Sequence, residues 1–167
     1  MLAEWGCGMA TARQFEQPVT NLYEQDFLAW AENQAEALRN RQVGAIDWVN
    51  LLEEVESMGV SQRHEQKNRL RILLMHLVKW HWQPEKRTHS WRETIIEQRA
   101  SLEDLMDSSP SLKNAVLDEV FNMVWTKAIK AASLETGLPT KTFPSECPWA
   151  VADVMSQDWM PESAVSP

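Results

Sequence analysis

Leu70, Leu73, Leu74, Leu77 and Val78 return at steps of three and four, and this spacing limits what the chain can become more than any other feature. At about 3.6 residues per turn such steps stack side chains on one face of a helix, and that face has to be buried. Comparable stripes run through most of the sequence. No stretch alternates apolar with polar residues long enough to make a useful strand, and only five glycines interrupt the patterns. The expected class is therefore all-α: a single helical bundle of five main helices, an extended proline-containing C-terminal tail, and a short sixth helix over about 148–157.

The first helix is expected over about 21–41, opened by Asn21 and Glu24 as a capping box, with Tyr23, Phe27, Trp30, Gln34 and Leu38 on its inner face. Asp47 can cap a second helix that stops at Gly59 and turns Trp48, Leu51, Leu52, Val55 and Met58 inward. A third, capped by Ser61, reaches about Gln83, because Pro84 lacks the amide donor that continuation needs. Ser90-Trp91-Arg92-Glu93 opens a fourth, lined by Trp91, Ile95, Leu102 and Leu105. Ser109-Pro110 starts a fifth, which turns Leu112, Val116, Val120, Phe121, Val124 and Ala128 inward and ends at Gly137 in a left-handed conformation. Pro139, Pro144 and Pro148 then break up the tail. In domain terms, 1–19 reads as a loose leader with Met9 as an alternative start, 20–162 as the helical domain, and 163–167 as a disordered end.

A chain of 167 residues can bury roughly 70% of its unfolded surface, so the core needs neither disulfides nor a metal staple. Cys7 and Cys147, 140 positions apart, fit free thiols in a reducing cytoplasm. Neither a membrane span nor a signal peptide is expected. The net charge of −8 is unevenly placed: residues 21–62 carry −6, whereas 63–87 carry +5 through Arg63, Lys67, Arg69, Arg71, Lys79, Lys86 and Arg87. A basic segment of this kind can bind nucleic acid. The acidic chain around it repels polyanions, however, and Glu53, Glu54 and Glu56 on the second helix are the expected internal partners.

Catalytic patterns are sparse. His64 and His76 are twelve positions apart, about 18 Å along a helix, and His76 and His81 point about 140° apart, so neither pair shares one ion. A mixed site would need His76 with acids of the first two helices, such as Asp26 and Glu54, which sets up a metal-dependent hydrolase or nuclease as one alternative. Cys147 precedes Pro148, where a helix N-terminus would lower its pKa and make it a nucleophile. The most distinctive stretch is Lys79 to Arg92, where Trp80, Trp82 and Trp91 meet Lys79, Arg87 and Arg92 around a helix-breaking turn. Aromatic faces there favour cation–π contacts or could grip a partner. Of the nine tryptophans, Trp30, Trp48 and Trp125 read as core, and Trp149 and Trp159 can pin the tail.

Several ordered motifs resemble a mainly cyanobacterial family, number 29 of the domains of unknown function. They are Leu22-Tyr23-Glu24-Gln25-Asp26-Phe27 with Trp30, then Leu51-Leu52-Glu53-Glu54-Val55-Glu56-Ser57-Met58-Gly59, then His76-Leu77-Val78-Lys79-Trp80, Gln83-Pro84, Arg87 and Ser90-Trp91-Arg92. Pro110-Ser111-Leu112, Glu135-Thr136-Gly137-Leu138-Pro139, Phe143-Pro144 and Cys147-Pro148 continue the match, which covers about 20–162. The resemblance implies a soluble, all-helical bacterial domain and brings no activity, cofactor or catalytic residue. Its polar signature falls on Asp26, Glu53, Glu54, His76, Lys79, Arg87 and Ser90.

Three functions follow as expectations. The first is a non-enzymatic protein-interaction or regulatory module without a cofactor, using the corner of Lys79, Trp80, Trp82, Arg87, Ser90, Trp91 and Arg92. The second is the metal-dependent enzyme, drawing on the polar set Asp26, Glu53, Glu54 and His76. The third is nucleic-acid binding through 63–87.

Overall fold

The structure, a computed structural model, describes residues 22–115 and 119–164. The expected leader, the Asn21 cap, Val116 and residues 165–167 lie outside the described residues. Every regular element among the described residues is helical, so the all-α class holds. None of these helices is long and apolar enough to cross a membrane. The chain divides into two compact units, residues 1–55 and 56–167.

In the first unit, α1 (Leu22–Gln25) and α2 (Phe27–Arg39) replace the expected single helix. Asp26 separates them: its backbone leaves the helical region, and its carboxylate accepts from the Ala29 amide at 3.0 Å. It is the N-cap of α2, because a side-chain acceptor competes well with the backbone at that position. The helix ends in a Schellman turn, in which the Gln42 amide bonds Ala37 O at 2.8 Å and the Arg41 amide bonds Leu38 O at 3.1 Å. Arg41 takes the left-handed position, φ 55°, that glycine usually fills. The inner face is correspondingly shorter than expected. Trp30, Gln34 and Ala37 are buried, whereas Phe27 and Leu38 are exposed.

The expected second and third helices are one: α3 runs unbroken from Trp48 to Trp82. Its first turns belong to the first unit and the remainder to the second. Gly59 does not stop it. Glycine stops a helix by turning left-handed, and Gly137 is the one described glycine with positive φ; no proline follows Gly59 before Pro84 either. An interior glycine costs only about 1 kcal/mol relative to alanine, and long helical flanks absorb that.

The second unit holds the main core. Leu70, Leu73, Leu74, Leu77 and Val78 of α3 are all essentially inaccessible, as the three–four spacing requires. They pack in one cluster with Ile95 and Leu102 of α4 (His89–Ser108), with Phe121, Val124, Trp125 and Ala128 of α6 (Glu119–Thr136), and with Phe143 and Val154 from the tail. Each such aliphatic side chain contributes about 1.5–3 kcal/mol by leaving water. Thr88, not Ser90, caps α4, its hydroxyl accepting from the Trp91 amide. A five-residue α5 (Ser111–Ala115) precedes α6, and Gly137 ends α6 at φ 75°, as expected. Beyond it, the Trp125 indole donates to Pro144 O at 3.1 Å and fastens the tail to the core. The last helix, α7 (Val151–Met155), starts three residues later than expected.

Candidate functional site

In the second unit, the corner at the end of α3 does bring tryptophans and cations together, but most of its chemistry is consumed internally. Lys79 is buried, pairs with Glu135 at 2.5 Å and lies 4.4 Å from the Trp91 ring centroid. Arg87 sits over Trp80 at 4.8 Å, donates to Trp80 O at 2.9 Å, and holds Ser163 Oγ at 2.9 Å. The Lys79–Trp91 and Arg87–Trp80 approaches are both cation–π contacts, the kind that an aromatic face beside Lys or Arg favours. Trp82 packs edge-on against Phe143 and close to Trp149, which in turn meets Trp125 and Trp159. Trp149 and Trp159 therefore pin the tail. The tail's last described residues return to this corner, where His81 bonds Glu162 O and the Ala164 amide bonds His81 O at 2.9 Å. Ser90 and Arg92 stand exposed on α4, with the Ser90 carbonyl accepting from Thr94.

Two further bases of the basic stretch make contacts within α3. Arg69 pairs with Glu65 at 2.8 Å and Arg71 donates to Asn68 at 2.9 Å. The acids and bases expected on a second and a third helix lie on one helix, α3.

The polar set of the first unit is organised around a residue the sequence offered only as a cap. Asp47 accepts from the Trp30 indole at 3.2 Å, from the Asn50 side chain at 2.7 Å and from the Asn50 amide at 3.3 Å. These hydrogen bonds, with Asn50 first, hold its carboxyl below the usual range against the opposing effect of burial. Its own amide donates to Gln34 Oε1 at 2.7 Å, so α2 completes the cap of α3. Glu54 accepts from the Tyr23 hydroxyl at 2.5 Å, which pushes that phenol up to about 12. Tyr23, Phe27 and Trp30 form a ring cluster beside it. Glu53 is exposed on α3. The signal for this network was the Asp-x-x-Asn spacing at 47–50 with Gln34 on the inner stripe of α2; only a structure shows that they meet.

His76, in the second unit, is bonded through Nδ1 to Ile72 O at 2.9 Å, and burial depresses its pKa. Among the described residues no group of three or more His, Cys, Asp or Glu could hold a metal ion. Cys147 does not gain a helix N-terminus, since α7 begins at Val151. Its thiol packs on the core, and burial pushes it up to about 11, the reverse of nucleophile activation. Sequence reasoning missed Arg99, which is fully buried in α4 and donates to Val154 O at 2.8 Å, tying α7 down. An open depression of about 410 Å³, lined by Glu103, Met106, Asp107, Lys113 and Met155 among others, carries a surface pair, Lys113 with Asp107 at 2.8 Å.

An apolar stripe also stands exposed on α3. The stripe expected to be the inner face of a second helix is exposed except at the half-buried Leu51: Trp48 is 57% accessible, Leu52 59%, Val55 58% and Met58 68%. Trp48 is thus not core. At 100° per residue, Trp48, Leu51, Leu52 and Val55 fall within roughly 100° of the helix circumference. Glu56 and Glu53 follow on one side of that arc and Glu54 on the other.

The family model for a domain of unknown function, DUF29, matches residues 22–160. No curated protein and no solved structure matches the chain.

Proposed function

The chain belongs to the DUF29 family of domains of unknown function, and from that premise we propose that it is a non-enzymatic protein-interaction module working through the apolar face of α3. The carrying observation is the exposure of Trp48, Leu52 and Val55 in helical register. Single exposed apolar residues are ordinary, but a contiguous stripe bordered by charge marks a contact surface. Tryptophan at its centre is the residue type that most often anchors such contacts. The Trp–cation corner anticipated for this role fits it less well, since Lys79 and Arg87 are held by Glu135, Trp91, Trp80 and Ser163. Lys79 and Arg87, so held, count less toward nucleic acid as the partner, and the acidic first unit adds repulsion. The use of Asp26 as a cap and Glu54 as an acceptor for Tyr23 weighs against the metal-dependent reading. A cytoplasmic setting suits a thiol that stays free, as Cys147 does.

The test is site-specific photo-crosslinking in the native host, with benzoyl-phenylalanine at Val55 and, as control, at the exposed Glu97. A discrete adduct from Val55 and none from Glu97 supports the reading. Equal smears at both sites, or no adduct at Val55 across growth conditions, would overturn it.

A further inference from the structure

The charges around the apolar face say what kind of surface covers it. We infer that the occupant is a basic amphipathic helix of a different protein, an inference that rests on the interaction reading above.

Described residues 22–55 hold seven acids, Glu24, Asp26, Glu32, Glu36, Asp47, Glu53 and Glu54, against two bases, Arg39 and Arg41, a net charge of −5. On α3 itself, the exposed Glu53 and Glu56 edge the strip of Trp48, Leu52 and Val55 on one side, while Glu54 on the other side is held by the Tyr23 hydroxyl. An apolar strip edged by carboxylates is complementary to a helix whose own apolar strip is edged by Lys or Arg. The strips bury each other while the flanking charges pair in the rim and set register. A helix suits the shape, since a convex α-helix face is met most closely by ridges at three- and four-residue spacing on another helix.

Three other occupants fit less well. A second copy of this chain would set one acidic face against another. Its basic segment cannot substitute, because Leu70, Leu73, Leu74 and Leu77, the apolar residues of that stretch, are already buried in the core. Residues 1–20 offer one base, Arg13, against Glu4 and Glu16, and so bring no complementary charge. An anionic membrane surface would be repelled by the same carboxylates.

The inference is tested on the full chain with two synthetic probes, 18-residue helical peptides of identical leucine pattern, one with lysine and one with glutamate at every polar position. Fluorescence anisotropy of labelled peptide measures binding, and analytical ultracentrifugation measures the state of the chain. The expected result is a monomer that binds the Leu/Lys peptide at least tenfold more tightly than the Leu/Glu peptide. Leu52→Ser and the double substitution Glu53→Lys with Glu56→Lys should each weaken it tenfold or more. Both alter exposed positions, so folding should survive, and circular dichroism checks that it does. Equal affinity for both probes, or variants that bind like the parent, overturns the inference. So does a dimer that Val55→Ser dissociates, which would make the second copy the occupant. A preference for the Leu/Glu peptide refutes the basic partner while leaving the interaction reading standing. A Val55 crosslink that never forms removes both.

Discussion

At the scale of single residues, His76 shows how burial turns a suspected ligand into a structural group. Its ring is partly enclosed, and desolvation disfavours the charged form more than the Ile72 carbonyl supports it, with Lys79 adding to the depression. The folded protein therefore binds a proton at His76 less readily than the unfolded chain, whose imidazole titrates near 6.5. Between those two values the unfolded state holds more protons, so the contribution to stability is present above the unfolded pKa and is lost as pH falls toward the folded one. Urea midpoints measured from pH 7.5 to pH 5 should fall less steeply for His76→Gln than for the parent. Parallel slopes would mean that His76 titrates alike in both states. Arg99 makes the complementary point. A basic residue on α4 reads as surface in any sequence pattern, yet this one is fully buried and holds the backbone carbonyl of Val154. Local sequence carries no sign of that, because the acceptor lies 55 positions away.

At the scale of elements, glycines of identical appearance in the sequence act differently as helix terminators, for physical reasons. Gly137 ends α6 because its backbone is left-handed, with Ser133 Oγ bonding Leu138 O at 2.6 Å just beyond it. Gly59 looks the same in sequence but sits inside α3 with ordinary helical geometry. A Cβ added there would meet nothing closer than the Arg63 guanidinium at 3.6 Å. Gly59→Ala should therefore stabilise the protein by about 0.5–1 kcal/mol, from lower unfolded-state entropy and better helix propensity. Chemical denaturation checks this, and a destabilised variant would indicate that α3 bends or breaks at Gly59. The opposite error occurs at Arg41, where no glycine announced a terminator and the backbone nevertheless turns left-handed to close α2. Asp26 was singled out for its chemistry and proves to be a cap, while Asp47 was expected only as a cap and gathers Trp30, Asn50 and Gln34 around it.

At the scale of the molecule, the all-α class and the core of the second unit were legible because apolar spacing is dictated by the helix itself. Spacing says which residues share a face but not whether another element covers it. The stripe at Leu70, Leu73, Leu74 and Leu77 and the stripe at Trp48, Leu52 and Val55 have the same signature; the first is buried and the second is exposed. The sequence drew attention to the tryptophan- and cation-rich corner, where composition was unusual, whereas the uncommitted surface lies where composition was ordinary. The central claim is that this ordinary stripe is open in the isolated protein and covered by a partner in use. Hydroxyl-radical footprinting measures that directly, by comparing oxidation of Trp48 and Met58 in dilute purified protein and inside the native host. Rapid oxidation of both is expected in the purified chain, with at least several-fold protection in the cell. Equal, rapid oxidation in both settings, or protection already present in the dilute purified chain, would contradict it.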